Sequence, residues 1–493
     1  MNLPLKISNS VYVGGEWVKA SGEPDAVINP ATEDVIGFAP VGGKAEVEAA
    51  IASAREAFDR GPWPRMSPQE RGAKLQQFHD GLMARQADIC RLITEEAGSV
   101  APIMPIQFHF PMSLAKDAID RGSRYRDTPL PPGTVPNGAG GSSLVGGVIR
   151  REPAGVVAAI TPYNFPFFLN VVKLFPALVT GNTVILKPSP FTPFSALIIA
   201  EVAAEVGFPK GVLNVVTGGT EVGEMMTTDP RVDLVTFTGS DKVGSAIAAQ
   251  AAPTLKRLHL ELGGKSALII RGDANLPAAI MAGMGYLTHC GQGCALQTRH
   301  LVHNSIRKAY VEALAGAHKA MKIGNPADPT VNLGPLIRES QRAKVEHYVE
   351  QGLKGGATLV TGGRRPPGLE RGYFYEPTLF DDVDNGSVLA QEEVFGPVGA
   401  VIGFDTDAEA VEMANNSAFG LSGGIFSSDL GAAFDMAAAI RTGGISINGG
   451  GSAPGSPIMA PFGGYKRSGI GREWGDEGLN AYTELKSLSF RQI

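Results

Sequence analysis

A chain of 493 residues carrying 43 basic and 49 acidic side chains, a formal charge of -6, is too long for one hydrophobic core and divides into at least two domains. Hydrophobic residues make up 43% and charged residues 19%, with both signs interspersed, so nothing in the balance recruits nucleic acid or anionic lipid. The three cysteines, Cys90, Cys290 and Cys294, are too few for a disulfide framework, the opening Met1 to Lys6 lacks an apolar signal core, and no apolar run approaches the ~20 residues of a membrane span; a cytoplasmic protein is expected.

In chain order, the first clear punctuation is residues 129–147, rich in Pro, Gly and Ser, after which alternation resumes from Leu144 to Arg151. Taken alone, that stretch reads as well as a flexible surface loop as anything else. From Gly155 to Ser240 short β-branched runs alternate with helical periodicity: Val156 to Ile160, Val184 to Leu186, Val212 to Val216 and Leu234 to Phe237, with helices predicted at 168–179, 192–206 and 220–228. Repeated βαβ units imply a parallel, doubly wound α/β sheet, whose ligands lie beyond the carboxyl ends of the strands. The loops Thr161 to Pro166, Lys187 to Pro190 and Thr238 to Ser240 fall there. Thr192-Pro193 predicts an N-cap with proline at the first helical position, and Gly207-Phe208-Pro209 predicts the end of the same helix. A second α/β region runs from about Glu261 to Phe462, with helices predicted at 305–321 and 339–353.

Chemistry concentrates at the start of that second region. Glu261-Leu262-Gly263-Gly264-Lys265-Ser266 is followed, one helix length later, by Gly291-Gln292-Gly293-Cys294. A sulfur nucleophile and a carboxylate able to activate water are the two groups acyl-enzyme chemistry needs. The Gly-Gly-Lys-Ser string ends like a phosphate loop, but His259 occupies the place of that motif's first glycine, so a nucleoside triphosphatase is rejected. His289 and Cys290, with no second ligand pair, do not make a zinc site, and no metal is expected. Asn164, in Thr161-Pro162-Tyr163-Asn164-Phe165-Pro166, reads on its own as a turn asparagine.

These segments resemble the glutamate and cysteine signatures of the aldehyde dehydrogenase superfamily, and further matches extend from Val13-Gly14-Gly15-Glu16-Trp17 to Tyr482-Thr483-Glu484-Leu485-Lys486. The resemblance implies a Rossmann-like dinucleotide-binding domain (residues 1–128 and 148–260, with 464–480 returning to it), an α/β catalytic domain (261–463), and a small β oligomerisation arm (129–147 and 481–493). It assigns Cys294 as nucleophile, Glu261 as the base that hydrolyses the thioester, Asn164 as oxyanion donor, and Lys173 and Glu473 as a proton exit. Relatives that transfer the acyl group to coenzyme A lack the glutamate, so its presence favours a free acid product. Two departures touch the nucleophile segment: Gly293 is an uncommon predecessor of the cysteine, and Leu296 stands where the family has a small residue.

There is no Gly-x-Gly-x-x-Gly; the resemblance instead builds a NAD site from Thr161, Pro162, Tyr163, Lys187, Ser189, Pro190, Gly219, Phe237, Thr238, Gly239, Ser240, Leu262, Gly263, Glu393 and Phe395. Pro190 replaces a glutamate that grips the 2'-hydroxyl in NAD-preferring relatives, so use of NADP beside NAD is expected. By position, the substrate pocket draws on Phe165, Phe168, Leu169, Val172, Ile458, Met459 and Phe462, all apolar. The expected substrate is an uncharged aliphatic, terpenoid or aromatic aldehyde, because a semialdehyde carboxylate would call for an arginine. A semialdehyde substrate and a cofactor-independent esterase using the same cysteine are the alternatives. Partners are expected to be further copies of the chain, in a homodimer or homotetramer.

Overall fold

The computed structural model describes residues 3–7, 9–138, 140–452, 455–456 and 459–492. Its first sheet is built on five parallel strands: β1 (Val156–Ile160), β2 (Thr183–Lys187), β3 (Leu213–Val215), β4 (Leu234–Thr238) and β5 (Arg257–Glu261). They lie in the order β3-β2-β1-β4-β5, so the direction of winding reverses between β1 and β4. The hairpin Ser10–Val13 and Glu16–Lys19 extends the β3 edge antiparallel, and Gly469–Ile470 closes the β5 edge.

All residues of β1, β2 and β4 are buried, as parallel strands covered on both faces must be. The period-2 alternation divides them between two cores. Val157, Ala159, Val184 and Leu186 pack under helices α1 (Pro166–Val179) and α2 (Phe194–Val206). Val156, Ala158, Ile160, Ile185 and Val235 pack on the opposite face, under α3 (Thr220–Thr228) and α4 (Asp241–Ala251).

Helix α2 does not begin as its sequence suggests. Pro193 is the flanking residue rather than the first helical one, and the buried Thr192 hydroxyl has no partner. The free N–H groups of Phe194 and Ser195 instead donate to the carboxylate of Glu96, at 3.0 and 3.4 Å, carried there by the helix Gln86–Ala97. An N-cap needs an acceptor and not a particular residue, and here a distant side chain supplies it.

The second sheet has seven strands, ordered Thr358–Thr361, Thr378–Asp381, Val398–Phe404, Arg299–His303, Ala267–Ile270, Gly423–Phe426 and Ser446–Ile447, parallel except for the first pair. The predicted helices around 305–321 and 339–353 are present as Asn304–Lys319 and Glu339–Lys354.

A third sheet joins Thr128–Pro136, Ser142–Pro153 and Thr483–Arg491. The segment that composition left open to a loop, and that the resemblance made part of a β arm, is a strand pair. Its prolines are tolerated because Thr128–Pro136 is the edge strand and the register shifts between Leu130 and Gly133, where Pro131 and Pro132 lie. Among the described residues no helix is long and apolar enough to cross a membrane.

Candidate active site

Glu261 ends β5 and is paired in register with Thr238 of β4, so the parallel ladder sets it at the carboxyl edge of the sheet, beside the loop that follows Phe237. Past this point the chain crosses to the second sheet. Leu262 N donates to Ser468 O at 3.0 Å, the Ser468 hydroxyl donates to Gly263 O at 2.8 Å, and Gly264 N donates to Glu393 Oε1 at 3.0 Å. The two glycines permit close approach: a Cβ on Gly263 would lie 2.5 Å from Glu393 Oε2, and one on Gly264 2.6 Å from the Cys294 carbonyl oxygen. The glutamate segment therefore packs its backbone against the Glu393 side chain and against the backbone of the cysteine segment.

The cysteine segment is delivered by a strained turn. His289 and Cys290 have φ of 50° and 55°, and Gly291 follows at 73°; left-handed residues other than glycine cost about 1–3 kcal/mol each and concentrate at functional sites. Gln292 fixes the turn from inside, its Oε1 accepting from Ile337 N at 3.0 Å and its Nε2 donating to His289 O at 3.1 Å. Cys294 is half-buried. Burial pushes its thiol well above the usual range, and the charges of Glu261, Glu393 and Glu473 push the same way. Cys290 is buried in the core of the second sheet, and among the described residues no cluster of His, Cys, Asp or Glu could hold a metal ion.

Asn164, from the loop after β1, donates from Nδ2 to Gln292 O at 2.8 Å, two residues before Cys294. A primary amide has a second N–H, which this bond leaves available. The asparagine is buried, and Gln107 Nε2 holds its backbone carbonyl at 3.1 Å.

Glu261 is 2% exposed, and among the described residues neither of its oxygens has a hydrogen-bond partner. Burial raises its proton affinity well above the ordinary carboxylate range; Glu473 adds to this, and Lys173 and Arg472 oppose it. Lys173 Nζ, fully buried in α1, lies 2.8 Å from Glu473 Oε1 and donates to Thr236 Oγ1 at 3.2 Å. His259 lies on the same face of β5 as Glu261, two residues earlier. Both its ring nitrogens are buried without partners among the described residues, and burial, then the charges of Lys173 and Arg472, hold it neutral with a pKa of about 3.

Beside this cluster, at the carboxyl ends of β1, β2 and β4, opens a groove of about 680 Å³. Thr161, Pro162, Lys187, Ser189, Pro190, Gly219, Phe237, Thr238 and Gly239 line it. Lys187 Nζ donates to Gly218 O at 2.8 Å, and burial lowers its pKa to about 8.

The aldehyde dehydrogenase family model matches residues 17–488. A 3-succinoylsemialdehyde-pyridine dehydrogenase from a Pseudomonas species is 40% identical over 97% of this chain and 97% of that protein. A betaine aldehyde dehydrogenase from Staphylococcus aureus, solved with NAD+, is 36% identical with a TM-score of 0.93, over 98% of this chain and 95% of that one. An aldehyde dehydrogenase of Mycobacterium tuberculosis, also solved with NAD+, is 42% identical with a TM-score of 0.88 over 98% of both chains. The chain belongs to the aldehyde dehydrogenase family.

As an aldehyde dehydrogenase it is an oxidoreductase, and the remaining expected site residues can be located in it. Ser240 caps α4, its hydroxyl accepting from Val243 N at 3.3 Å. Tyr163 stands between Phe191 and Phe395, each ring centroid 6.1 Å away. Leu262 is buried with the core beneath α3 and α4, while Gly263 and Glu393 lie at the crossover and not in the wall of the groove. Phe168, Leu169 and Val172 form an apolar cluster with Phe110 and Leu114, against which Phe165 and Met459 pack. Phe462 stacks on Trp474 at 4.7 Å. Ile458 lies outside the described residues.

Sequence reasoning missed several neighbours. Lys242, Val243, Ala246 and Gln250 present one face of α4 to the groove, a helical spacing that could have been extended from Ser240. Arg338, whose guanidinium sits 4.3 Å from the Phe191 ring centroid at the groove, carries no local signal. Trp474, adjacent to Glu473, joins the aromatic cluster through Phe110 at 5.4 Å and Phe168 at 6.3 Å.

Proposed function

We propose that this enzyme oxidises an uncharged, apolar aldehyde to its carboxylic acid with NAD. The observation that carries the reading is the convergence of three segments: the Asn164 amide bonded to Gln292 O at 2.8 Å, and Gly264 packed on the Cys294 carbonyl with Glu261 three residues away. Cys294 attacks the aldehyde carbon as the thiolate, its proton having passed to solvent, and the carbonyl oxygen becomes the anion of a tetrahedral thiohemiacetal. The second N–H of Asn164 and the backbone N–H of Cys294 receive the developing oxyanion, each such donor worth about 3 kcal/mol. After oxidation the acyl group remains on Cys294 as a thioester. Glu261 then takes a proton from the water that attacks it, and Lys173 and Glu473 carry the proton away.

The groove fits the cofactor. Its wall holds a buried Thr238 hydroxyl without a partner, the Lys187 ammonium, and the amino end of α4. A nicotinamide dinucleotide bound there supplies the hydride acceptor that no side chain provides. Relatives solved with NAD+ support that choice. Pro190 itself offers no carboxylate to repel a 2'-phosphate, and Glu224 is the carboxylate that the groove lining retains, so NADP is also turned over; absence of any NADP-dependent rate at saturating aldehyde would remove that part.

For the substrate, the aromatic cluster around Phe168 and Trp474 supports an aliphatic, terpenoid or aromatic aldehyde. The same rings, with a betaine aldehyde dehydrogenase among the similar structures, favour a quaternary ammonium aldehyde as the second reading. A panel of octanal, citral, benzaldehyde, betaine aldehyde and succinic semialdehyde decides: the reading stands if kcat/KM is highest for an uncharged member. Cys294→Ala should abolish all of these rates while NAD still quenches tryptophan fluorescence; residual aldehyde oxidation would overturn the mechanism.

The third sheet exposes Leu130, Leu144, Leu485, Leu488 and Phe490, which supports its pairing with a neighbouring copy in a homodimer or homotetramer. All three cysteines are free, which supports a reducing compartment.

A further inference from the structure

On the edge of the first sheet opposite the groove lies a second, larger cleft of about 1250 Å³. Pro153 and Thr180, just before the amino ends of β1 and β2, form part of its wall, so it is separated from Cys294 by the thickness of the sheet along its strands. Five guanidinium groups line it: Arg65, Arg71, Arg126, Arg150 and Arg151. Arg150 is matched by Asp127 at 2.8 Å, and Glu152 is taken by Lys486. The other four have no carboxylate within ion-pair distance among the described residues.

What these four do bond to is neutral. Arg71 donates from Nε to Val179 O at 2.9 Å, Arg126 to Tyr125 O at 2.9 Å, Arg65 to the carbonyls of Gly61 and Asp59, and Arg151 to Thr483 Oγ1 at 3.4 Å. Arg71 is 7% exposed, and a cation so placed is ordinarily paired. Burial lowers its pKa only to about 10, which leaves it charged at neutral pH. Guanidinium forks match phosphate oxygens two at a time, and several converging forks select a ligand with more than one phosphate. The volume is too large for a single inorganic ion and suits a ligand of nucleotide size, for which Phe58 and Tyr125 add aromatic wall.

We propose that this cleft binds a multiply phosphorylated small molecule. The cleft is distinct from the dinucleotide groove, so its occupant does not compete with NAD. Titration calorimetry of the NAD-saturated enzyme with tripolyphosphate, at constant ionic strength, tests this; saturation removes the groove as an alternative diphosphate site, a step that rests on the proposed NAD dependence and is checked separately by fluorescence quenching. Wild type is expected to bind, and Arg65→Gln with Arg126→Gln to bind about tenfold more weakly or worse. The aldehyde oxidation rate of the variant without tripolyphosphate should be unchanged, which also certifies its fold. No heat up to millimolar tripolyphosphate, or equal affinity in the variant, overturns the proposal. So does a variant that changes oligomeric state on a sizing column with its tripolyphosphate affinity intact, because the arginines would then serve a second copy of the chain.

Discussion

Two regions of the molecule each bury a glutamate, and they treat it in opposite ways. At the amino end of α2, Glu96 is fully buried and both oxygens accept backbone N–H groups, from Phe194 and Ser195. At the carboxyl end of β5, Glu261 is buried nearly as deeply and neither oxygen has a partner. A carboxylate that completes the hydrogen bonding of its surroundings is holding structure together. One that is sealed away unsatisfied is destabilising where it stands, and such groups persist at sites where reactivity is needed. The contrast separates the cap, Glu96, from the residue proposed above as the base.

The largest effect expected of this contrast is on turnover. Glu261→Gln keeps the volume and removes the base, so steady-state oxidation should fall by about 10²–10⁴-fold, while a stopped-flow burst of reduced cofactor survives. Its melting temperature should hold or rise, since no hydrogen bond is lost. A drop in stability like that of a lost cap would make Glu261 structural and erase the distinction. Next comes the ion pair behind it. Lys173→Met strands the Glu473 carboxylate, 3% exposed, without its cation, and should cost about 3–5 kcal/mol in urea unfolding; the double variant Lys173→Met with Glu473→Leu should recover much of that loss.

Glu96 should behave the other way round. Glu96→Ala frees two helix N–H groups and should destabilise by about 1–2 kcal/mol, with Glu96→Gln closer to wild type because its amide oxygen still accepts. The α2 amino end follows directly on the loop from Lys187 to Pro193, which lines the cofactor groove. Loosening it should raise the KM for NAD with little change in kcat. A lowered kcat with KM intact would place Glu96 in the chemistry and not in the scaffold.

How much of this was legible in the sequence depends on the range over which each interaction acts. The strands Val156–Ile160 and Leu234–Thr238 declare themselves by short β-branched runs, because burial on both faces is a local demand. Gly263 and Gly264 mark a close approach that the Cys294 carbonyl then explains. The cap on α2 is not legible: Thr192-Pro193 is a good local start signal, but the acceptor comes from Glu96, nearly a hundred residues earlier. Pro131 and Pro132 conceal a strand because proline on an edge, at a register shift, violates nothing that the chain itself encodes. Arg338 and Trp474 reach the groove and the apolar cluster through tertiary packing alone. Periodicity and punctuation find elements; they do not find partners that meet only when two elements cross.

The pH dependence is the most selective effect. Burial lifts the Glu96 pKa from an ordinary value of 4.5 to about 8, against the pull of its two backbone donors. A folded-state value above the unfolded one means that the fold binds the proton more tightly, so the stabilisation it brings is complete below about pH 4.5 and is lost as pH rises to about 8. Wild type should therefore lose stability progressively across that window relative to Glu96→Gln, in which no proton is exchanged, and the two unfolding curves should run parallel above it. Glu261 and Glu393 titrate upward for the same reason, so Glu96 is read from the difference between the two curves and not from the slope of either one. Parallel curves throughout would mean that the backbone donors win over burial and keep Glu96 ionised, leaving Glu261 as the protein's one high-affinity proton site of this pair.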